Sequence, residues 1–130
     1  MAILSETSKV SAGYPETTLY KLMNDESVDE TTSDAIDTFE AEEITLLIEA
    51  GAGVNGGVVT LEGAVTSDYA GTWVSLGTVT TNGASKLFAL SLSPTNDTSG
   101  DIGLPMPYIR ARISTVITGG TIDLYIMRRK

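Results

Sequence analysis

The chain has 130 residues with 17 acidic and 8 basic side chains, no Cys and no His, and a formal net charge of -9. This length suits one domain that buries its own core. Without Cys and His, thiolate metal sites, cysteine nucleophiles, Ser-His-Asp triads and imidazole proton transfer are excluded. The acidic balance opposes binding to nucleic acid and to anionic membranes. We therefore expect a protein that is not an enzyme and uses no cofactor or metal.

The charge is unevenly distributed along the chain. Residues 1–50 carry 12 acidic and 2 basic side chains, whereas residues 51–130 carry 5 and 6. No apolar run reaches the roughly 18 residues that would span a bilayer, and the first ten residues, MAILSETSKV, lack the basic start and apolar core of a secretory signal. We expect a protein made in a cytoplasm, with one acidic end and a nearly neutral body.

Residues 1–16 are predicted to form an N-terminal arm. Their hydrophobic residues, Ile3, Leu4, Val10 and Tyr14, are too scattered to build a core layer. Ordering such a segment costs about 1–2 kcal/mol per residue in backbone entropy, which a partner surface has to offset. The arm is therefore expected to be disordered in the free protein and to contact a partner through these four side chains.

Short segments of alternating polarity, separated by turns, follow the arm. The segment from Glu43 to Glu49 is the clearest, because Ile44, Leu46 and Ile48 share one side of an extended chain. The glycine-rich segment 51–57 and the Asn82-Gly83 pair are turn signals, and residues 24–34 and 93–103 are polar loops. The predicted strands before the last third of the chain are 17–23, 35–39, 43–49, 58–62, 72–79 and 86–92. The alternative for residues 17–23 is one helical turn after Pro15, and the β-rich context favours a strand.

The last third, 107–130, predicts two strands joined at Gly119-Gly120. As a two-residue hairpin, this segment would pair Ile117 with Ile122, Thr115 with Leu124 and Ile113 with Ile126 on one mostly apolar face. The opposite face would pair Val116 with Asp123, Ser114 with Tyr125 and Arg112 with Met127. The pattern predicts a hairpin with one buried side.

About eight short strands without a long helical period predict an all-β fold. We expect a single β-sandwich or jelly roll of about eight antiparallel strands, with an arm at 1–16 and the sandwich domain at 17–130.

Two segments resemble small virion proteins of tailed bacteriophages. The segment 59–76, VTLEGAVTSDYAGTWVSL, is similar to their pattern of a strand, an EGS-type turn, an aspartate, a glycine and a TWV-x-L strand. PYIRARI followed by TGGTIDLYI resembles their closing hairpin. The order of elements is similar over roughly residues 17–130. Capsid decoration, or cement, proteins are members of this group.

The resemblance implies a jelly-roll protein on the outside of a phage head, synthesised in the host cytoplasm. Its implied partners are the major capsid protein and its own copies, in a symmetric homo-oligomer such as a trimer on local threefold axes. The alternative is a carbohydrate- or receptor-binding β-sandwich module of a phage tail, because fold analogy alone does not assign function.

Arg110, Arg112, Arg128 and Arg129, together with Lys130, are the candidate basic patch. Arg110 and Arg112 lie two apart and so project from the same face of a strand, and the predicted hairpin would bring the C-terminal residues beside them. One interpretation is a docking patch for an acidic capsid surface. The other is a solvated face in which Arg112 pairs with a carboxylate of the acidic loop.

Two further candidates have a structural and a functional interpretation. Trp73 is the only Trp and would be a sugar-stacking platform, but a single Trp in a small sandwich is more often a core or sheet-edge residue. The acidic run from Asp25 to Glu43 would offer oxygen ligands for Ca²⁺, but it lacks the spacing of a calcium-binding loop, so a solvated loop is favoured.

Overall fold

The computed structural model describes residues 3–9, 17–39, 41–82, 87–92 and 106–129. Within these residues the chain forms nine strands, and every strand pair is antiparallel. The strands are β1 (Ser5–Lys9), β2 (Thr17–Glu26), β3 (Ile36–Asp37), β4 (Glu43–Ala50), β5 (Gly56–Ala64), β6 (Val74–Thr80), β7 (Leu87–Leu92), β8 (Tyr108–Thr118) and β9 (Ile122–Arg129).

The strands form two sheets, one in the order β1-β2-β9-β4-β7 and the other in the order β3-β8-β5-β6. From β2 to β9 each connection crosses from one sheet to the other, except the β5–β6 hairpin. This winding of eight strands is that of a jelly roll. The predicted all-β sandwich is therefore confirmed, with β2–β9 as its eight strands and β1 added at an edge.

The predicted closing hairpin is wrong. β8 pairs with β3 and β5, β9 pairs with β2 and β4, and the two strands lie in opposite sheets. The predicted buried side chains Ile113, Ile117 and Leu124 are nevertheless buried, while Thr115 is exposed. Two strands that face each other across a sandwich bury matched apolar sets just as a one-sided hairpin does, so alternation alone does not distinguish the two arrangements.

The core lies between the sheets and is almost entirely aliphatic. Alternate residues of each long strand point inward, as the period of two requires, and most of these side chains are fully buried. The largest of them are Leu22, Met23, Ile44, Leu46, Ile48, Leu61, Ile109, Ile113, Ile122, Leu124, Ile126 and Val59.

Two inter-sheet turns meet at one end of the sandwich. The amide of Gly51 donates to the carbonyl of Thr121 at 3.0 Å, and the amide of Asn55 donates to the carbonyl of Thr118 at 2.9 Å. Gly119 has φ +83°, and a Cβ there would overlap the carbonyl oxygen of Gly53. The glycines therefore allow the β4–β5 and β8–β9 connections to pack backbone against backbone.

The described part of the predicted arm is an edge strand. Ser5 to Lys9 pair with Lys21 to Thr17 of β2, and the amide of Leu4 donates to the carbonyl of Lys21 at 2.8 Å. Residues 5–9 thus have a partner within their own chain, contrary to the expected disorder of the free arm. Val10 and Tyr14 lie outside the described residues, and the boundary at residue 16 remains a prediction.

In the part of the chain that the structure describes, we find no helix with the length and hydrophobicity needed to cross a membrane.

Candidate functional site

A charge network lies on the outer face of the β3-β8-β5-β6 sheet. Glu62 of β5 and Arg110 of β8 are cross-strand partners, and Arg112 lies two residues further along β8 on the same face. One carboxylate oxygen of Glu62 accepts from Nε of Arg110 at 2.7 Å, and the other accepts from Nε of Arg112 at 3.2 Å. Each oxygen of this carboxylate thus binds a different guanidinium.

Trp73 covers this network. It precedes β6, and its ring centroid lies 4.0 Å from the guanidinium carbon of Arg110, which is the distance of a cation–π contact. Its indole N–H donates to the carbonyl of Tyr69 at 2.9 Å, and the residue is 8% exposed. Because Arg110 occupies one ring face, the structure supports the structural interpretation of Trp73 and leaves little ring surface for a sugar.

The acidic loop supplies the fourth charge. Glu30 accepts from Arg112 at 3.0 Å, as the structural interpretation of that arginine predicted. The loop runs alongside β8 in the antiparallel direction. The amide of Ser33 donates to the carbonyl of Ala111, and the amide of Ile113 donates to the carbonyl of Thr31, both at 2.9 Å. The outer network, defined here as Glu30, Glu62, Trp73, Arg110 and Arg112, is therefore neutral, with two carboxylates and two guanidinium groups.

Glu62 is the member that the sequence did not reveal. Its side chain is only 4% exposed, although it lies on the outer face, because two arginines and the cover above them shield it. A carboxylate in such a place is stable only while its charge is paired. Alternation in the segment VTLEGA places Glu62 on the outward side of its strand, and this is the one signal that the sequence offers. The sequence does not show which strand lies beside it, because strand pairing is set by the tertiary fold.

Arg128 and Arg129 occupy a different place from Arg110 and Arg112. Arg128 extends from β9 to Asp37 in the opposite sheet, donating to the Asp37 carboxylate at 2.6 Å and to the Asp37 carbonyl at 2.9 Å. Arg129 makes only a looser contact with Glu43, at 3.7 Å. The four predicted patch arginines thus do not form one patch: Arg110 and Arg112 share Glu62, whereas Arg128 and Arg129 each contact a different carboxylate.

Exposed apolar side chains form a second candidate surface. Phe39 is 58% exposed, Val65 59% and Tyr69 39%. The Phe39 and Tyr108 rings contact edge to face at 5.9 Å, and Tyr108 pairs with Ala64, the neighbour of Val65. We call these four residues, Phe39, Val65, Tyr69 and Tyr108, the apolar rim. The rim lies where β3 and β5 end and β8 begins.

The described residues of the arm add two exposed aliphatic side chains. Ile3 is 38% exposed and Leu4 is 48% exposed, immediately before β1. These two predicted partner-binding residues are therefore accessible on the opposite sheet from the apolar rim.

A small acidic cavity of about 200 Å³ lies beside the two inter-sheet turns. Its lining comprises Asp25, Glu49, Ala50, Gly51, Thr121 and Asp123. Asp123 accepts from the amide of Asp25 at 3.0 Å and lies 3.6 Å from Nζ of Lys21, while Asp25 accepts from the hydroxyl of Thr121 at 3.3 Å. Among the described residues, no group of three or more acidic side chains has the arrangement of a metal site.

Comparisons with known proteins identify the fold. No family model matches the chain, and no curated protein sequence does. The solved structure of YomS, a protein derived from the SPBc2 prophage, is similar over 94% of this chain and 100% of YomS, with 8% identity and a TM-score of 0.60. A cleaved adhesin domain of Lys-gingipain from Porphyromonas gingivalis is similar over 97% of this chain and 89% of that domain, with 12% identity and a TM-score of 0.53. The chain therefore shares its β-sandwich fold with a prophage-derived protein and an adhesin domain.

Proposed function

We propose that this protein is a structural component of a bacteriophage particle that decorates the capsid, binding the major capsid protein and its own copies. The apolar rim is the observation that carries the proposal. Exposed apolar side chains that lie at one end of a sheet are candidates for a contact surface. The likeness of fold to a prophage-derived protein and the resemblance of segments 59–76 and 107–126 to virion proteins support the same conclusion.

The network chemistry favours a role in binding over one in catalysis. Both oxygens of Glu62 accept from arginines and its side chain is only 4% exposed, so this carboxylate offers little surface to a substrate. A neutral, internally paired network instead makes a rigid support for the neighbouring rim. A decoration protein acts by mass action, because a ligand that binds only the assembled lattice shifts the equilibrium toward assembly.

Binding to purified heads that lack the protein tests this function. We expect the parent protein to saturate such heads at a copy number comparable to that of the capsid protein. The combined change Phe39→Ser and Val65→Ser should weaken binding by about tenfold or more, since each side chain contributes roughly 1.5–3 kcal/mol if fully buried in a contact. Its melting temperature should stay near that of the parent, because both side chains are mostly exposed.

Val116→Ser is the matched control for the head-binding assay. Val116 is a 45% exposed aliphatic residue on β8 of the same sheet but outside the rim. We expect this variant to bind heads as the parent does. The proposal fails if the parent does not bind heads, or if the particle contains only a few copies of the protein.

The second candidate function is carbohydrate or receptor binding in a phage tail. It is favoured by the exposed ring of Phe39 beside Tyr108, which would suit a stacking contact, and by the likeness of fold to an adhesin domain. A tail module would be present in few copies per particle and would bind host glycans in an array. Phe39→Ser should then abolish glycan binding and leave head assembly unchanged.

A further inference from the structure

The four edges of the two sheets differ in how well they are protected. β1 has five residues, including the charged Glu6 and Lys9, and β3 has two residues and continues into the acidic loop. Charges and short length are the usual protection of an edge against pairing with another chain. The other two edges have neither a charge nor a proline: β7 has six residues, LFALSL, and β6 has seven, VSLGTVT, and is the longer of the two.

Four of the seven residues of β6 are exposed and the other three are half-buried. Val74 is 51% exposed, and Ser75, Thr78 and Thr80 are exposed as well. Among the described residues, β5 is the only strand that pairs with β6. Its backbone groups on the other side therefore form a template to which a further strand can be added.

Charge indicates which occupant fits this edge. Two copies of a chain with net charge -9 repel each other over most of their surfaces. Residues 69–85, which include all of β6, contain no charged side chain. β7 lies next to β6 at the edge of the other sheet, and residues 87–92 are likewise uncharged in sequence. This side of the sandwich is where a second copy can approach with the least repulsion.

We infer that β6 pairs antiparallel with β6 of a second copy of this chain. The pairing is isologous, with a twofold axis across the middle of the strand near Gly77. It joins the two four-stranded sheets into one continuous sheet. The inference deepens the self-association part of the proposed function, and it specifies a dimer rather than the trimer that the resemblance implies.

Sedimentation of the purified chain at tens of micromolar tests this pairing. We expect the parent to sediment as a dimer and the combined variant Thr78→Glu, Thr80→Glu to sediment as a monomer, because the two carboxylates at position 78 then become diagonal neighbours across the twofold axis, and those at position 80 add further negative charge beside the joined edges. Thr115→Glu is the control. Thr115 is an exposed threonine of the same sheet on β8, which has a partner on each side, and this variant should remain a dimer.

Amide hydrogen exchange provides the second measurement. In the parent, β6 amides that point away from β5 should exchange at least tenfold more slowly than in the Thr78→Glu, Thr80→Glu variant, and melting curves should show that both are folded. A monomeric parent overturns the inference, and so does a glutamate variant that dimerises as tightly as the parent. If the parent is monomeric and the glutamate variant loses head binding, the strand that pairs with β6 belongs to another protein.

Head binding separates this inference from the proposed function. A parent that dimerises through β6 but does not bind heads leaves the inference intact and overturns the decoration function. A parent that is monomeric but saturates heads overturns the inferred dimer and leaves the decoration function intact.

Discussion

Two layers of this small protein exclude water by different means. The layer between the sheets is aliphatic, and Leu46, Ile113 and Leu124 have no exposed surface there. The layer on the outer face of the smaller sheet is charged, yet the Glu62 side chain within it is 4% exposed, nearly as inaccessible as the core. The first layer depends on apolar area removed from water, and the second on every charge having its partner.

The difference determines how each layer responds to substitution. In the aliphatic layer, a change of similar size and polarity is tolerated, and a charge is not. In the outer network, a small chemical change at one member leaves another charged group without its partner, which costs more than the intact network contributes.

The largest expected effect comes from placing a charge in the aliphatic layer. Leu124→Asp and Ile113→Asp should each prevent folding, because an unpaired carboxylate there costs several kcal/mol, about as much as the stability of such a domain. Circular dichroism and soluble yield are the measurements. Val116→Asp on the exposed side of β8 is the control and should fold. Soluble Leu124→Asp protein with a parent-like melting curve would contradict the assigned core.

Glu62→Gln should have the next largest effect. It removes the negative charge that Arg110 and Arg112 share, so we expect the free energy of unfolding to fall by about 2–3 kcal/mol. The loss is limited to this size because both arginines keep some access to water. The melting temperature should fall by roughly 10 °C. The fluorescence of Trp73, the only Trp, should change in the folded state because its ring contacts Arg110.

Glu30→Gln is the matched control for Glu62→Gln. The Glu30 side chain is 71% exposed, and loss of its ion pair with Arg112 should cost less than about 0.5 kcal/mol. Equal effects of the two substitutions would show that burial does not distinguish the two carboxylates.

Arg128 and Arg129 allow the same comparison between a mostly buried and an exposed ion pair, with smaller expected effects. Arg128→Met should cost about 1–2 kcal/mol, because this guanidinium joins the sheets through Asp37 and its side chain is 12% exposed. Arg129→Met should cost less than about 0.5 kcal/mol, because its contact with Glu43 is 3.7 Å long and exposed. Urea unfolding of both variants measures the difference. A larger loss of stability for Arg129→Met than for Arg128→Met would show that Arg128 is not the more stabilising of the two arginines.

Deletion of residues 1–9 should have a smaller effect than Glu62→Gln or Arg128→Met. Among the described residues, β2 is the only strand that pairs with β1, and the neighbouring Ile3 and Leu4 are exposed. We therefore expect the free energy of unfolding to fall by about 1 kcal/mol or less, from the loss of exposed edge hydrogen bonds. Hydrogen exchange should accelerate at β2 amides and remain slow at β4. A fall in the free energy of unfolding as large as that expected for Glu62→Gln would mean that β1 contributes substantially to the stability of the sandwich.

Much of the fold follows from local patterns. Alternation in 43–49 and 107–126 predicts extended strands and identifies Ile44, Ile113 and Leu124 as inward-facing residues, because a period of two has only two faces to assign. Eight such segments without a helical period predict a sandwich. The acidic loop and the basic strand were also enough to offer, as one of two interpretations, that Arg112 pairs with a carboxylate of that loop, and the structure identifies the carboxylate as Glu30.

The choice of neighbours was decided only by the tertiary structure. Alternation assigns a face to each residue of β8 and β9, but it carries no information on which strand lies alongside, so a hairpin and an inter-sheet connection have the same pattern. The same limit applies to β1 and its pairing with β2. The burial of Glu62 depends on Arg110, 48 residues away, and on the position of Trp73 above them. A buried charge is defined by partners that the fold brings together from distant parts of the chain, and no local pattern records them.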